Sequence, residues 1–201
     1  MAMELARVTI AGWAVATLVV GGAISGCGSD KKAASPSSSG AAGSSPAASA
    51  SAVPVDYTNL LVKASDIGGD LTAPQPPVLN PGGQSGVAQL FANADNSRQI
   101  GDTILIASDP AAAAAGLQNT KGNYASKVSG AWQNADVGSN GSIISGTTAD
   151  NTKAITVLLF TQGKALVNME FDSAPNDPID IEVAKDIGRK QDAAIKNGLP
   201  N

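Results

Sequence analysis

From residue 56 onward the apolar residues follow two rhythms, one with a period of two and one close to four. Residues 165–172 alternate: Val167, Met169 and Phe171 share one face, and Asn168 and Glu170 share the other. This is the pattern of a strand in a sheet with one covered and one partly exposed side. The run Ile155-Thr156-Val157-Leu158-Leu159-Phe160 is apolar on both faces, which makes its strand, 154–161, a central one. Residues 143–147 complete a three-stranded meander that turns at Asp150-Asn151 and Gln162-Gly163. Upstream, 87–93 and 100–108 flank Asp95-Asn96-Ser97 and read as a hairpin.

Helical spacing occupies two longer stretches. Asp109-Pro110 and Asp177-Pro178 each offer a carboxylate as N-cap and a proline at the first helical position, where its missing N–H costs nothing. Residues 178–197 repeat Ile179, Val183, Ile187, Ala194 and Ile195 at helical spacing, with Asp186/Lys190 and Asp192/Lys196 as i,i+4 pairs on the other face; Gly198 and Pro200 end the helix. The other helix, 110–128, is weakened by Gly116 and Gly122, and its pattern is compatible with two pieces. A helical turn near 59–62 comes first. The expected fold is therefore α+β: an antiparallel sheet of about five strands in the order β-β-α-β-β-β-α, with the helices packed on one face.

The chain before residue 56 has a different character. Residues 8–24 are apolar but broken by Gly12, Gly21 and Gly22, and fall short of the ~20 residues that span a bilayer, so they read as a cleaved signal. The segment ahead of them holds one base, Arg7, offset by Glu4. The apolar run ends in Ile24-Ser25-Gly26-Cys27, and Cys27 is the single cysteine of 201 residues. That tetrapeptide resembles a bacterial lipobox, in which the peptide is cut before the cysteine and the thiol carries a diacylglyceryl group. An uncleaved N-terminal anchor is the alternative, and either reading puts the remainder outside the cytoplasm. Residues 28–55 are almost wholly Ser, Ala, Gly and Pro, too poor in apolar surface to offset the entropy of ordering. They are expected to form a disordered tether with an r.m.s. span of about 30 Å. The expected organisation is thus a signal peptide at 1–26, a lipidated cysteine and tether at 27–55, and one globular domain at 56–201.

Arg7 and Glu4 are the only charged residues before Cys27, so the net charge is −4 with or without residues 1–26. A mildly acidic chain with no long basic run offers no field for nucleic acid or anionic headgroups, so no nucleic-acid partner is expected. Membrane attachment is then expected through acyl chains on Cys27, at about 0.8 kcal/mol per buried methylene. The domain has no cysteine after Cys27 to form a disulfide, and is expected to be a monomer held by packing alone.

The element order, with the lipobox and tether, resembles the small lipoproteins of mycobacteria and related actinobacteria whose domain is similar to the Mog1/PsbP fold. A second resemblance, to PknH-type extracellular sensor domains, rests on Leu60-Leu61-Val62-Lys63-Ala64-Ser65-Asp66-Ile67. Both imply an envelope protein on the extracytoplasmic side of a membrane.

Catalytic chemistry is mostly excluded. With no histidine in the chain, Ser-His-Asp and Cys-His catalysis and His-ligated zinc are ruled out. The sole Ser-x-x-Lys match, Ser29 to Lys32, lies in the tether. Asp172, Asp177, Asp180 and Glu182 are close in sequence, as a glycosidase pair would be, but capping and the helix dipole account for acids at a helix start. Asp136-Val137-Gly138-Ser139-Asn140-Gly141 imitates the opening of a calcium loop, yet its twelfth position is Thr147 rather than glutamate, so no metal is assigned. Gly82-Gly83-Gln84-Ser85-Gly86 precedes a strand, unlike a phosphate loop, and reads as a loop continuing residues 74–81. No cofactor is called for.

What remains is binding of a partner protein or a small envelope ligand, with a carboxylate-dependent envelope hydrolase as the alternative. The candidate surface is the sheet face carrying Asn168 and Glu170, together with the loop around Trp132. Trp132 itself is expected to be a cover residue on the core more readily than a free contact.

Overall fold

The doubly apolar run becomes strand β6 (Ala154–Gln162) of a seven-stranded antiparallel sheet in the computed structural model, which describes residues 55–199. Ile24, Ser25, Gly26 and Cys27, the expected signal peptide and nearly all of the expected tether lie outside the described residues. The other strands are β1 (Val78–Leu79), β2 (Gly86–Ala92), β3 (Gln99–Ile106), β4 (Gln133–Asn134), β5 (Ser139–Thr147) and β7 (Ala165–Ser173), in the spatial order β1-β2-β3-β7-β6-β5-β4. The β2–β3 hairpin thus joins the β5–β6–β7 meander through β3 and β7, in a register that pairs Asp102 with Met169. The sheet has seven strands rather than about five because two-residue strands extend each edge. β1 sits among prolines and β4 is wholly polar, so neither carries an alternation.

Three helices accompany the sheet: α1 (Ala64–Ile67), α2 (Pro110–Tyr124) and α3 (Ile181–Gly198). The two long ones lie on opposite faces, not on one. Val157, Leu159 and Leu166 pack with Ala113, Leu117 and Tyr124 of α2. Leu158, Phe160, Val167, Met169 and Phe171 pack with Ala184, Ile187 and Ile195 of α3. β6 dictates this, because a strand apolar on both sides needs cover on both.

α2 is one continuous helix, capped by Asp109, whose carboxylate accepts from the Ala112 N–H at 2.8 Å. Gly116 does not break it; a Cβ there would stand 3.2 Å from the Leu166 side chain, so the glycine lets the helix lie close to the sheet. α3 starts later than Asp177-Pro178 suggests. Asp180 is its N-cap, accepting from the Glu182 N–H at 2.7 Å, while Asp177 is ion-paired to Arg98. The extended stretch between them lays Ile179 on the core. The buried face of α3 runs through Ala184, Ile187, Gly188, Gln191 and Ile195, and Val183 points to solvent. At Gly188 a Cβ would strike the side chain of Leu158. Among the described residues no helix is long and apolar enough to cross a membrane.

The N-terminal segment joins the α3-side core, which also holds Val87 and Phe91 of β2 and Ile100 and Ile104 of β3. A 3-10 turn, Thr58–Leu60, opens with the Asp56 carboxylate accepting from the Thr58 N–H at 2.9 Å, and Leu60 is fully buried. Gln191, also fully buried, clips this segment to α3: its Nε2 donates to the Leu60 carbonyl at 2.6 Å and its Oε1 accepts from the Val62 N–H at 2.7 Å. Replacing Gln191 by Leu keeps the volume but leaves both backbone groups unpaired, at about 1–3 kcal/mol each. Gln191→Leu should therefore lower stability by about 2–6 kcal/mol in urea melts, with Glu182→Ala, at an exposed site on the same helix, as a control expected near zero. A Gln191→Leu protein as stable as the parent would show that the clip is energetically idle.

Candidate functional site

The sheet register puts Asn168 and Glu170 on the α2 side, one row apart. The Asn168 row continues through Thr103 to Ala88, and the Glu170 row through Gly101 to Leu90. α2 packs on β6 and β7, leaving Ala88, Leu90 and Thr103 half-exposed beside it. The residues of this strip are small apart from Leu90, and Gly101, the β3 neighbour of Glu170, brings no side chain. The face expected to be partly exposed is covered by α2 over β6 and β7 and half-exposed at Ala88, Leu90 and Thr103 of β2 and β3. Asn168 and Glu170 themselves are half-buried at its border.

Tyr124, the last residue of α2, joins the pieces. Its phenolic O–H donates to Glu170 Oε2 at 2.7 Å, and the Asn168 Nδ2 donates to the phenolic oxygen at 3.0 Å. The Trp132 ring meets Tyr124 edge-on, with centroids 6.4 Å apart, and Lys121 Nζ lies 5.3 Å from the Trp132 centroid while donating to Ser142 Oγ. Trp132 is half-buried, packed on the α2-side core but not enclosed in it. Lys127 lies over the other aromatic, its Nζ 5.6 Å from the Tyr124 centroid. The structure therefore brings Trp132, Asn168 and Glu170 together through a residue that sequence reasoning left out. Tyr124 falls at the i+7 position from Leu117, which was the available signal.

Burial raises the Glu170 carboxyl above its usual range, and the charge of Asp172 adds to the rise; the Tyr124 hydrogen bond and the charges of Lys127 and Lys153 hold it down. Tyr124 is pushed up in turn by burial and by the charge of Glu170, so its phenol stays a donor. The group can donate and accept hydrogen bonds toward the strip, and it holds both signs of charge. It suits a polar ligand or the polar part of a partner surface.

The four acids of the hydrolase alternative do not converge. Asp172 lies on the α2 side, ion-paired to Lys153 at 2.7 Å; Asp180 caps α3; Glu182 pairs with Lys185 at 2.9 Å; and Asp177 pairs with Arg98. Asp180, Glu182 and Lys185 do line a hollow of about 600 Å³ with Gln133 and Ser145, on the other side of the sheet from Glu170. Residues 136–141 lead into β5 and form its first three residues, with Gly138 and Asn140 at positive φ and a β-bulge between Ser139 and Ser142. Asp136 there faces Arg189 at 3.7 Å. Pro81–Gly83 is a 3-10 turn between β1 and β2, so the glycine run is a connection, as its position before a strand implied. Among the described residues no group of three or more His, Cys, Asp or Glu side chains could hold a metal.

No protein-family model matches the chain, and no curated protein matches it. Among solved structures it is similar to the extracellular domain of PknH from Mycobacterium tuberculosis, at 12% identity and a TM-score of 0.48, over 72% of this chain and 98% of that one.

Tyr124→Phe removes the donor to Glu170 and should cost about 1–3 kcal/mol. Because that hydrogen bond lowers the Glu170 pKa, the variant's Glu170 should titrate higher still, followed by carboxyl NMR shifts. Stability from a carboxyl with a raised folded-state pKa is lost as pH rises from its unfolded value through its folded one. The cost of Tyr124→Phe should therefore be larger at pH 7 than at pH 4, and equal costs would remove the phenol–carboxylate bond from the account.

Proposed function

We propose that the chain is a lipid-anchored extracytoplasmic protein of a bacterial envelope whose α+β domain is a non-enzymatic binding or accessory module. The observation that carries this reading is the tetrapeptide Ile24-Ser25-Gly26-Cys27 at the end of a short apolar run, with the chain's single cysteine at the point of modification. Lipidation of Cys27 gives membrane attachment without a spanning helix. The complete lack of histidine and the scatter of the four acids across both faces of the sheet support binding over hydrolysis. Recognition takes place on the half-exposed strip of Ala88, Leu90 and Thr103, with Asn168, Glu170 and Trp132 at its border. The ligand is a partner protein or a small polar envelope molecule, and the domain acts as a monomer.

Two measurements test the two halves of this reading. Cys27→Ser should abolish acylation, seen in the mass of the mature N-terminus, and should move the protein out of the membrane fraction; a variant that stays acylated ends the anchoring proposal. A photo-crosslinking residue at Thr103 should give adducts in intact envelopes, whereas one at Val183, exposed on α3, should give few. Equal yields at both positions would show that the strip is not the binding surface.

A further inference from the structure

Asp102 lies in the middle of β3 and is completely buried. Its cross-strand neighbours are Gln89 on β2 and Met169 on β7. On the same face, these three residues are bracketed along their strands by Val87 and Phe91, Ile100 and Ile104, and Val167 and Phe171, all members of the α3-side core. A carboxyl group thus occupies the centre of an apolar lattice. Neither of its oxygens has a hydrogen-bond partner among the described residues. The obvious donor is engaged elsewhere, since Gln89 Nε2 donates to the carbonyls of Gln75 at 2.9 Å and Leu90 at 2.8 Å.

The core that these residues belong to also holds α3, Leu60 and Val62 of the N-terminal segment and, half-buried, Leu71, and Gln191 holds α3 and the N-terminal segment together with both of its polar atoms. The ionisable groups that the packed elements bring to this side are few. β2 and β7 bring none; α3 buries Asp192, which is paired to Lys196 at 2.6 Å; and the N-terminal segment brings the partly buried Tyr57, with Lys63 and Asp66 in solvent. Burial is accordingly what acts on Asp102, and it lifts the carboxyl to about 8.

We propose that Asp102 is a proton-operated latch beneath the N-terminal segment: protonated, it is compatible with the closed layer of Leu60, Val62 and Gln191, and ionised, it draws water and that layer lifts from the sheet. The segment yields before the sheet does. It is a 3-10 turn and the four-residue helix α1, tied to α3 by side-chain hydrogen bonds, whereas β3 has ladders on both edges. It is also where residues 1–54 join the domain, so the latch couples the acidity of the surroundings to that junction.

The proton balance sets the size of the effect. The closed form keeps its proton up to about pH 8, while an opened, hydrated carboxyl titrates near its ordinary value of roughly 4. Opening therefore releases one proton across that window, and its equilibrium constant rises about tenfold per pH unit, flattening above pH 8. Hydrogen exchange of the Val62 amide in the full chain, corrected for the intrinsic rate, reads this directly, because that N–H is bonded to Gln191. Its protection should fall about tenfold per unit from pH 4 to 8 while staying below that of Leu158 in β6. In Asp102→Asn the slope should vanish, and Asp102→Leu should give the same result if the amide folds poorly. Gln191→Ala should lower Val62 protection by a constant factor at every pH and keep the slope. A flat profile in the wild type, an unchanged slope in both Asp102 variants, or Val62 protection equal to that of Leu158 would each overturn the latch.

Discussion

Strand β6 must be covered on both faces, and the rest of the domain is arranged around that requirement. Ile155, Val157 and Leu159 belong to the α2-side core, and Leu158 and Phe160 to the α3-side core. A single helical layer would leave one set in water, at roughly 25 cal/mol per Å² of exposed apolar surface. Two helices on opposite faces meet the requirement over the β5–β6–β7 half of the sheet. The β2–β3 half is then treated unequally: its α3-side residues share a core with the Gln191-clipped segment, while on the α2 side Ala88, Leu90 and Thr103 stay half-exposed. The half-exposed strip beside Tyr124 is a by-product of that inequality.

The two sides treat a buried carboxyl in opposite ways. Glu170 sits at the border of the α2-side core with a phenolic donor at 2.7 Å and the charges of Lys127 and Lys153 in range. Asp102 sits at the centre of the α3-side core with no donor among the described residues. An unpaired buried polar group costs several times what a satisfied hydrogen bond returns, so these positions make unequal demands on the fold. Glu170 is compatible with a rigid framework that presents polar atoms to a ligand. Asp102 weakens the layer above it, which is the property a structure would keep for a part that moves.

Long, regularly alternating elements were legible in the sequence because burial dictates their pattern. Residues 154–162 and 165–173 differ from expectation only at their last residue, and Asp109 announces α2 by a carboxylate-proline pair that caps it in fact. The same pair at Asp177 misleads, because Asp180 also caps and the helix begins where Ile179 has already reached the core. β1 and β4 escape notice because two residues cannot show a period. Trp132, Asn168 and Glu170 could be chosen from sequence, but not the contact between them, since Tyr124 ends a helix rich in Ala and Gly with little apolar contrast to orient it. Asp102 was readable: Ile100, Asp102 and Ile104 alternate as one face, and a carboxylate in that series contradicts the pattern.

The helices were expected on one face for a reason that is itself instructive. Asn168 and Glu170 are polar, and a polar row on a strand suggests solvent. Polar residues can equally face a helix that brings a hydroxyl, and Tyr124 does so here. Alternation on β7 therefore distinguishes an apolar side from a polar one, while only the neighbouring β6, apolar on both sides, tells that the polar side is also covered. Strand patterns are best read in adjacent pairs, because a helix spans more than one strand and covers them together. By the same logic the β2–β3 hairpin is the half to read for function: no strand there repeats the two-sided apolar run of β6, and nothing in its sequence obliges a helix to cover the α2 side.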